Sequence, residues 1–565
     1  MTPRWTLFTL GWLLVLVGAG TAHLLQTSGG VTVHDLRFSG SGGRTLSALL
    51  YLPPNATPAT PAPAVLAVHG YINTREVQTP FALELARRGH VVLSLDQGGH
   101  GYSDPPAFVQ GFGGPAALRY LRSLDVVDPD NIGLTGHSMG GWTVLAAAYA
   151  MPDSYRSVVL HGSSTGPPFA APGTAEWPRN VAVVFPRYDE FAAFMWEVER
   201  AQDVGQSPKL KALFGSQDTI VPGEIHGDPA AGTARILYAP AVTHPGAHLS
   251  HAAVGHTLDW FAHTLAGADA AQPDRQIWFA REVATLLALI GFVLLLLGSF
   301  RVWLGSPYLS SLAQSPKAPT FHARTPRWWL LAIAGALIPV ATFYPVFTLA
   351  DHWLPASRWL PQAMTNQIAL WALLNGGIVL ILGALSRSRA VSVRHAVLPC
   401  VLIALASVGT AYLAVLLADF LFKVDFRFWF VGVKALSLGQ FQAMLVYLPA
   451  FALFFLLLLR MLHGGLAVAG DSALKAFVVN GLLLAGGFAA FLLLQYGSLF
   501  TRGMLLTPSE PLHTIVMLQF VPLLLIVAII STYTHRLTGS HVPGALTAAL
   551  FVTGYIVASQ ATQYG

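Results

Sequence analysis

The sequence predicts an α/β domain, a mostly parallel sheet with helices on both faces, followed by an all-α polytopic transmembrane bundle. Three observations carry this prediction. Of the 565 residues, 54% are hydrophobic and 10% charged, far from the balance of an average soluble protein, so much of the chain belongs in lipid. Between about 31 and 265, short β-rich apolar runs alternate with Gly/Pro turns and helix-like stretches, the pattern of a parallel α/β sheet. After 276, long apolar runs dominate, most of them long enough to cross a hydrocarbon core of about 30 Å at about 1.5 Å per residue.

The first element is the apolar run LFTLGWLLVLVGAGTAHLL at 7–25, preceded by Arg4. It exceeds the ~7–15 residues of a signal-peptide core, which favours a retained anchor over residues 1–27, although Ala19, Gly20 and Ala22 leave cleavage open. The α/β domain follows at 28–268. Its strands are read at VTVHDLRF (31–38), TLSALLYL (45–52), AVLAVHG (64–70), HVVLSLD (90–96), NIGLTG (131–136) and SVVLHG (157–162). The Pro-rich stretch at 53–63 links the second to the third and cannot itself be a central strand. A membrane domain of about eight transmembrane helices occupies 277–565, with runs near 283–300, 328–349, 368–385, 396–418, 443–459, 476–494, 514–531 and 543–558.

The net charge of +5 raises the question of a nucleic-acid partner, but many of the basic residues flank apolar runs, so the expected partner is the lipid bilayer and no nucleic acid. With the N-terminus inside, the short inner segments carry eleven Lys and Arg, among them Arg387, Arg389 and Arg394, and the outer ones five. That bias predicts a multi-pass cell-membrane protein whose α/β domain lies outside the cytoplasm. The single cysteine, Cys400, excludes an intramolecular disulfide and a cysteine-based metal site.

The segment NIGLTGHSMGGWTVLAAAYA sets GHSMG (136–140) between a strand-like run and an Ala-rich helix. This is the context that a G-x-S-x-G nucleophile elbow requires, because the turn is sharp and bulk beside the serine would clash. Ser138 is therefore the candidate nucleophile. Upstream, AVLAVHGY (64–71) ends a buried strand in a His69-Gly70 turn.

Taken in order, HGY at 69–71, LARRGHVVLSLDQGGHGYSD at 85–104 and GHSMGG at 136–141 resemble the α/β-hydrolase superfamily, close to its esterase and dienelactone-hydrolase-like members. The resemblance covers about 30–265 and implies the α/β-hydrolase fold, with the backbone amides of Tyr71 and Met139 as oxyanion hole and a triad in chain order Ser, Asp/Glu, His. It places the base at His244, the first histidine after the strand ARILY, in preference to His248. For the acid two positions compete. LFGSQDTIVPG (213–223) resembles the family string and would offer Asp218, whereas NVAVVFPRYDEF (180–191) offers Asp189. The run VAVVF suits a central strand buried on both faces better than PKLKALF with its two lysines, which favours Asp189. An insertion covering about 205–232 then separates acid from base. The five histidines 244, 248, 251, 256 and 263 lack carboxylate ligands at matching spacing, so neither metal nor cofactor is expected.

These residues imply a membrane-bound serine hydrolase that cleaves an ester, thioester or amide through an acyl-enzyme, or an acyltransferase using the same triad. A transporter or membrane sensor whose hydrolase-like domain binds a ligand is the alternative from another class. Asn480 and Gln519 stand mid-span, and Asp351, Asp419 and Asp471 near span ends, but scattered polar residues of this kind more often satisfy helix packing. Tyr71, Trp142, Phe169, Trp177 and Phe194 are candidates for a pocket that takes an apolar acyl or aryl group, and the aromatic loop 419–440 for an interfacial segment.

Overall fold

The computed structural model describes residues 4–267, 275–317, 319, 321–385 and 393–564. Arg387 and Arg389 of the charge count, and the residues at the domain limits 1, 268 and 565, lie outside the described residues. The chain divides into two compact units. One comprises Thr21–Val283 with Tyr496–Pro511 and Ser559–Gly565, the other Met1–Gly20, Ala284–Gln495 and Leu512–Ala558.

After helix α1 (Thr6–Gln26), the first unit runs β1 (Thr32–Ser39), β2 (Thr45–Leu52), β3 (Ala62–Val68), α2 (Thr79–Ala86), β4 (Val91–Asp96), α3 (Gly114–Arg122), β5 (Val127–His137), α4 (Met139–Ala150), β6 (Ser157–His161), β7 (Val181–Val184), α5 (Ala192–Trp196), α6 (Pro208–Phe214), β8 (Arg235–Tyr238) and α7 (His251–Thr264). The eight strands form one sheet in the order β1-β2-β4-β3-β5-β6-β7-β8. β2 pairs antiparallel with β1 and β4, and every other pair is parallel. This is the α/β-hydrolase architecture.

Strand β3 shows why the sequence folds so. Its seven residues are all buried, and Ala64, Leu66 and Val68 join the core under α3 and α4 while Val65 and Ala67 join the core under α2 and α7. A strand covered on both faces has no reason to alternate with polar residues. The run PKLKALF, in contrast, forms α6. Ser207 caps it through a hydrogen bond from the Leu210 amide, Pro208 opens its first turn, and Gly215 closes it with φ +62°.

Register matters for function. His137 stands opposite His161, His161 opposite Val184 and Val184 opposite Tyr238, so the carboxyl ends of β5 to β8 finish on one line. Loops leaving that line are the expected place for a site. The last residues of the chain join the same unit: Thr562 exchanges main-chain hydrogen bonds with Gly99 and Ala107 in the loop after β4.

The second unit is helical: α8 (Trp278–Trp303, from Ala284 onward), α9 (Pro326–Ala341), α10 (Phe343–Trp353), α11 (Ala363–Leu385), α12 (Val397–Phe422), α13 (Leu438–Arg460), α14 (Ala473–Arg502, up to Gln495), α15 (Pro511–Thr538, from Leu512) and α16 (Val542–Ser559, up to Ala558). Among the described residues, eight helices including α1 are long and apolar enough to span a membrane, and nine spans result if α9 and α10, bent by 44°, count as one. The bend follows Pro339, which removes a helical N–H and crowds the preceding turn. The chain is thus a multi-pass membrane protein.

Helices α1 and α8 approach at backbone distance over glycines spaced by seven. A Cβ at Gly11 would stand 2.5 Å from the Leu295 amide nitrogen, and one at Gly18 2.6 Å from the Ala284 carbonyl oxygen. From the other side, one at Gly298 would stand 2.3 Å from the Phe8 nitrogen. Small residues permit such contacts between helices in lipid, where packing replaces the hydrophobic driving force. Three of the polar residues singled out above have partners within the unit: Asn480 donates to Thr532 at 2.8 Å, Gln519 accepts from the Tyr555 hydroxyl at 3.0 Å, and Asp471 pairs with Arg324 and Lys475. The loop 419–440 contains a short hairpin, Phe426–Phe428 with Val431–Val433, in which Phe426 and the Asp425–Arg427 ion pair are buried.

Candidate active site

Ser138 sits between β5 and α4 with φ +54° and ψ −121°, a strained conformation for a non-glycine residue. The turn closes only because its neighbours lack side chains. A Cβ at Gly136 would lie 2.2 Å from the Gly140 carbonyl oxygen, and one at Gly140 2.2 Å from that of Val68. The Ser138 amide donates to the His161 carbonyl at 2.8 Å, which leaves the half-buried side chain at the N-terminus of α4. The Met139 amide opens that helix. The His69-Gly70 turn runs alongside, so that a Cβ at Gly70 would stand 3.2 Å from that of Ser138, and Tyr71 follows directly.

His244 and Asp189 come from the loops after β8 and β7. The two loops extend the sheet pairing beyond the strands, through Arg187 N–H to Pro240 at 2.8 Å and Tyr188 N–H to Val242 at 3.1 Å. His244 Nδ1 and Asp189 Oδ2 are then 2.9 Å apart, both side chains buried. Asp189 Oδ1 accepts the Phe191 N–H at 2.8 Å. On the other flank His137, the residue before Ser138, packs its ring 4.6 Å from that of His244. Gly162, at φ +51°, leaves room for the pair: a Cβ there would stand 2.8 Å from His244 Nδ1 and 3.1 Å from Asp189 Oδ2.

Burial pushes His244 down to about 3, so its imidazole is neutral at physiological pH, the state a base requires. Burial also lifts Asp189 above the usual carboxylate range, opposed by the Phe191 N–H. Asp218 lies elsewhere, exposed in the turn after α6, its amide bonded to Ser216 Oγ. His248 is buried behind His137 at 4.0 Å between rings, with its Nε2 facing Gln78. His251 packs on Trp278, His256 stacks on Tyr238 and His263 bonds the Asp259 carbonyl.

A chain of aromatic rings runs from Tyr71, which follows the His69-Gly70 turn, to Trp142 of α4. Tyr71 meets Phe108, Phe108 meets Phe112, Phe112 meets Phe169, and Trp142 on the first turn of α4 meets Phe169 at 4.7 Å and Phe194 at 5.8 Å. Phe108, Phe169 and Phe194 remain exposed. Trp177 is not part of this wall, since it packs on Tyr149 at the far end of α4.

Three residues that hold the site escaped the sequence reading. His137 occupies the variable position of G-x-S-x-G, and Gly162 closes an unremarkable strand. Glu190 is visible beside Asp189 in the string YDE, yet only the fold brings its carboxylate to the His244 amide, at 2.7 Å.

Residues 63–194 match a family model described as alpha/beta hydrolase fold. No curated protein matches the chain. Among solved structures, it is similar to a hypothetical protein from Pseudomonas aeruginosa at 27% identity, covering 23% of this chain and 42% of that one, with a TM-score of 0.21. It is also similar to the thioesterase domain from the curacin biosynthetic pathway at 23% identity, covering 24% and 49%, with a TM-score of 0.20. A third is epoxide hydrolase A from Mycobacterium thermoresistibile, at 21% identity, covering 24% and 41%, with a TM-score of 0.21. The chain spans less than half the length of these structures.

Proposed function

We propose that this chain is a membrane-bound serine hydrolase with Ser138 as nucleophile, His244 as general base and Asp189 as the acid that orients it. The observation that carries the reading is the buried His244–Asp189 hydrogen bond of 2.9 Å, with the His244 ring 4.6 Å from that of His137, the residue before a strained serine at a strand-to-helix turn. With Nδ1 engaged by Asp189, His244 turns Nε2 to the Ser138 hydroxyl and takes its proton as Oγ attacks an acyl carbonyl. The amides of Tyr71 and Met139 stabilise the oxyanion, and the imidazolium returns its proton to the leaving group. Water activated by His244 then releases the acyl group. An alcohol or amine acceptor in place of water would give acyl transfer by the same steps.

The exposed rings of Phe108, Phe169 and Phe194, continuous with Trp142, favour an ester, thioester or amide whose acyl or aryl part is apolar. The charge bias of the short loops supports an extracytoplasmic site. The deciding experiment is covalent labelling of the full-length protein by a fluorophosphonate probe, compared with Ser138→Ala. Labelling and p-nitrophenyl ester turnover should be present in the wild type and absent in the variant. Undiminished turnover by Ser138→Ala overturns the reading.

A further inference from the structure

Two consecutive carboxylates hold His244 in different ways. Asp189 takes the imidazole, while Glu190 Oε2 accepts the main-chain N–H of the same histidine at 2.7 Å. The other oxygen of Glu190, Oε1, accepts the hydroxyl of Tyr496 at 2.8 Å. Tyr496 is 306 residues further along the chain. It lies near the end of α14, a helix otherwise long and apolar enough to span a membrane, and it begins the stretch Tyr496–Pro511 that belongs to the sheet-bearing unit. The contact is not isolated. Phe500, one turn on, meets the ring of Tyr188 edge-on at 5.1 Å, and a Cβ at Gly503 would stand 3.0 Å from Arg200 Cδ. The end of α14 is thus seated on the segment that carries Asp189 and Glu190.

A buried carboxyl group is costly unless its oxygens are satisfied, and here the two donors are the histidine backbone and the tyrosine hydroxyl. Burial and the neighbouring Asp189 push Glu190 up to about 8, so it is neutral at physiological pH. We propose that Glu190 and Tyr496 are positioning residues for His244, so that the catalytic loop is held from the end of a membrane helix and the active site is complete only in the full chain. The proposal rests on the Ser138–His244–Asp189 reading. It accounts for a hydrolase domain joined to a bundle whose chain re-enters it.

The test uses the full-length protein in detergent, with p-nitrophenyl butyrate as substrate and fluorophosphonate labelling in parallel. Glu190→Ala should lower kcat by about 30-fold while KM stays within about twofold, because a misplaced base costs turnover rather than binding. Glu190→Gln keeps a carbonyl acceptor for the His244 N–H and offers an amide to the Tyr496 oxygen, and should return kcat to within about threefold of wild type. The isosteric Tyr496→Phe should lower kcat by about three- to tenfold, and by less when added to Glu190→Ala, since the two act through one network. Wild-type kcat in both Glu190→Ala and Tyr496→Phe would overturn the proposal, as would a Gln variant no better than Ala. If the wild type itself is neither labelled nor active, the triad reading fails, and with it this one. If it is labelled and active while the variants match it, only this inference falls.

Discussion

His137 Nε2 donates to the main-chain carbonyl of His244 at 2.9 Å. The residue that precedes the proposed nucleophile therefore anchors the loop that carries the proposed base, and the same loop is gripped from its other side by Glu190. His137→Phe keeps a ring against His244 but removes the shorter of the two bonds to its carbonyl, leaving only the Ala247 N–H at 3.4 Å. We expect about a tenfold fall in kcat and a small loss of thermal stability, on the scale of about 1 kcal/mol for one lost hydrogen bond. Unchanged ester turnover in a variant with a lowered melting point would assign His137 to stability alone.

Replacement of the acid separates two candidates in one assay. Asp189→Asn should cost several orders of magnitude in turnover, by analogy with triad-acid replacements at ~10⁴-fold, because the amide holds the wrong tautomer of His244. Asp218→Asn, at an exposed turn, should cost little. Measured with the same p-nitrophenyl ester, the reverse ranking would move the acid to Asp218.

The sheet-bearing unit should lose stability in acid. His100, His161 and His244 are pushed by burial from 6.5 to about 3, and His90 to about 4. Below 6.5 the unfolded chain binds protons that the folded one refuses, so stability rises with pH across this window and is lost as pH falls from 6.5 toward 3. Glu190 acts with the opposite sign. Its carboxyl is raised from 4.5 to about 8, so the folded state holds the extra proton, and its contribution is lost as pH climbs through 8. The temperature of half-inactivation, assayed after return to neutral buffer, should drop from about pH 7 to about pH 4. Above about pH 8, Glu190→Gln should gain on the wild type. A flat acid limb would contradict the buried neutral histidines.

In the helical unit, Gly18→Leu drives a side chain into the Ala284 carbonyl of α8, whereas Gly20 has nothing within 4 Å of its Cβ position. Gly18→Leu should reduce folded yield in detergent and lower the melting temperature by several degrees, as overpacking costs about 1–3 kcal/mol. Gly20→Leu should be silent in both. Equal behaviour of the two variants, read by size-exclusion profile and melting curve, would mean that α1 does not pack on α8 through this face.

The sequence by itself determined the elements that local pattern specifies. Apolar runs bounded by Gly and Pro marked the strands, because a doubly covered strand has to be apolar throughout, as β3 is. Long apolar stretches marked the spans, and the glycines around Ser138 marked the turn, since only glycine tolerates the 2.2 Å approaches there. The tertiary structure alone decided which side chains meet. The apolar run VAVVF favoured Asp189 over the nearer Asp218, but no local pattern brings a carboxylate 55 residues before His244 to its imidazole. That contact follows from β7 pairing with β8 and from PKLKALF folding as a capped amphipathic helix that carries Asp218 to the surface. Still less does anything local join Tyr496 to Glu190 across 306 residues. A hydrogen bond between distant segments leaves no periodicity in the chain; it exists only once the packing of whole elements has brought donor and acceptor within reach.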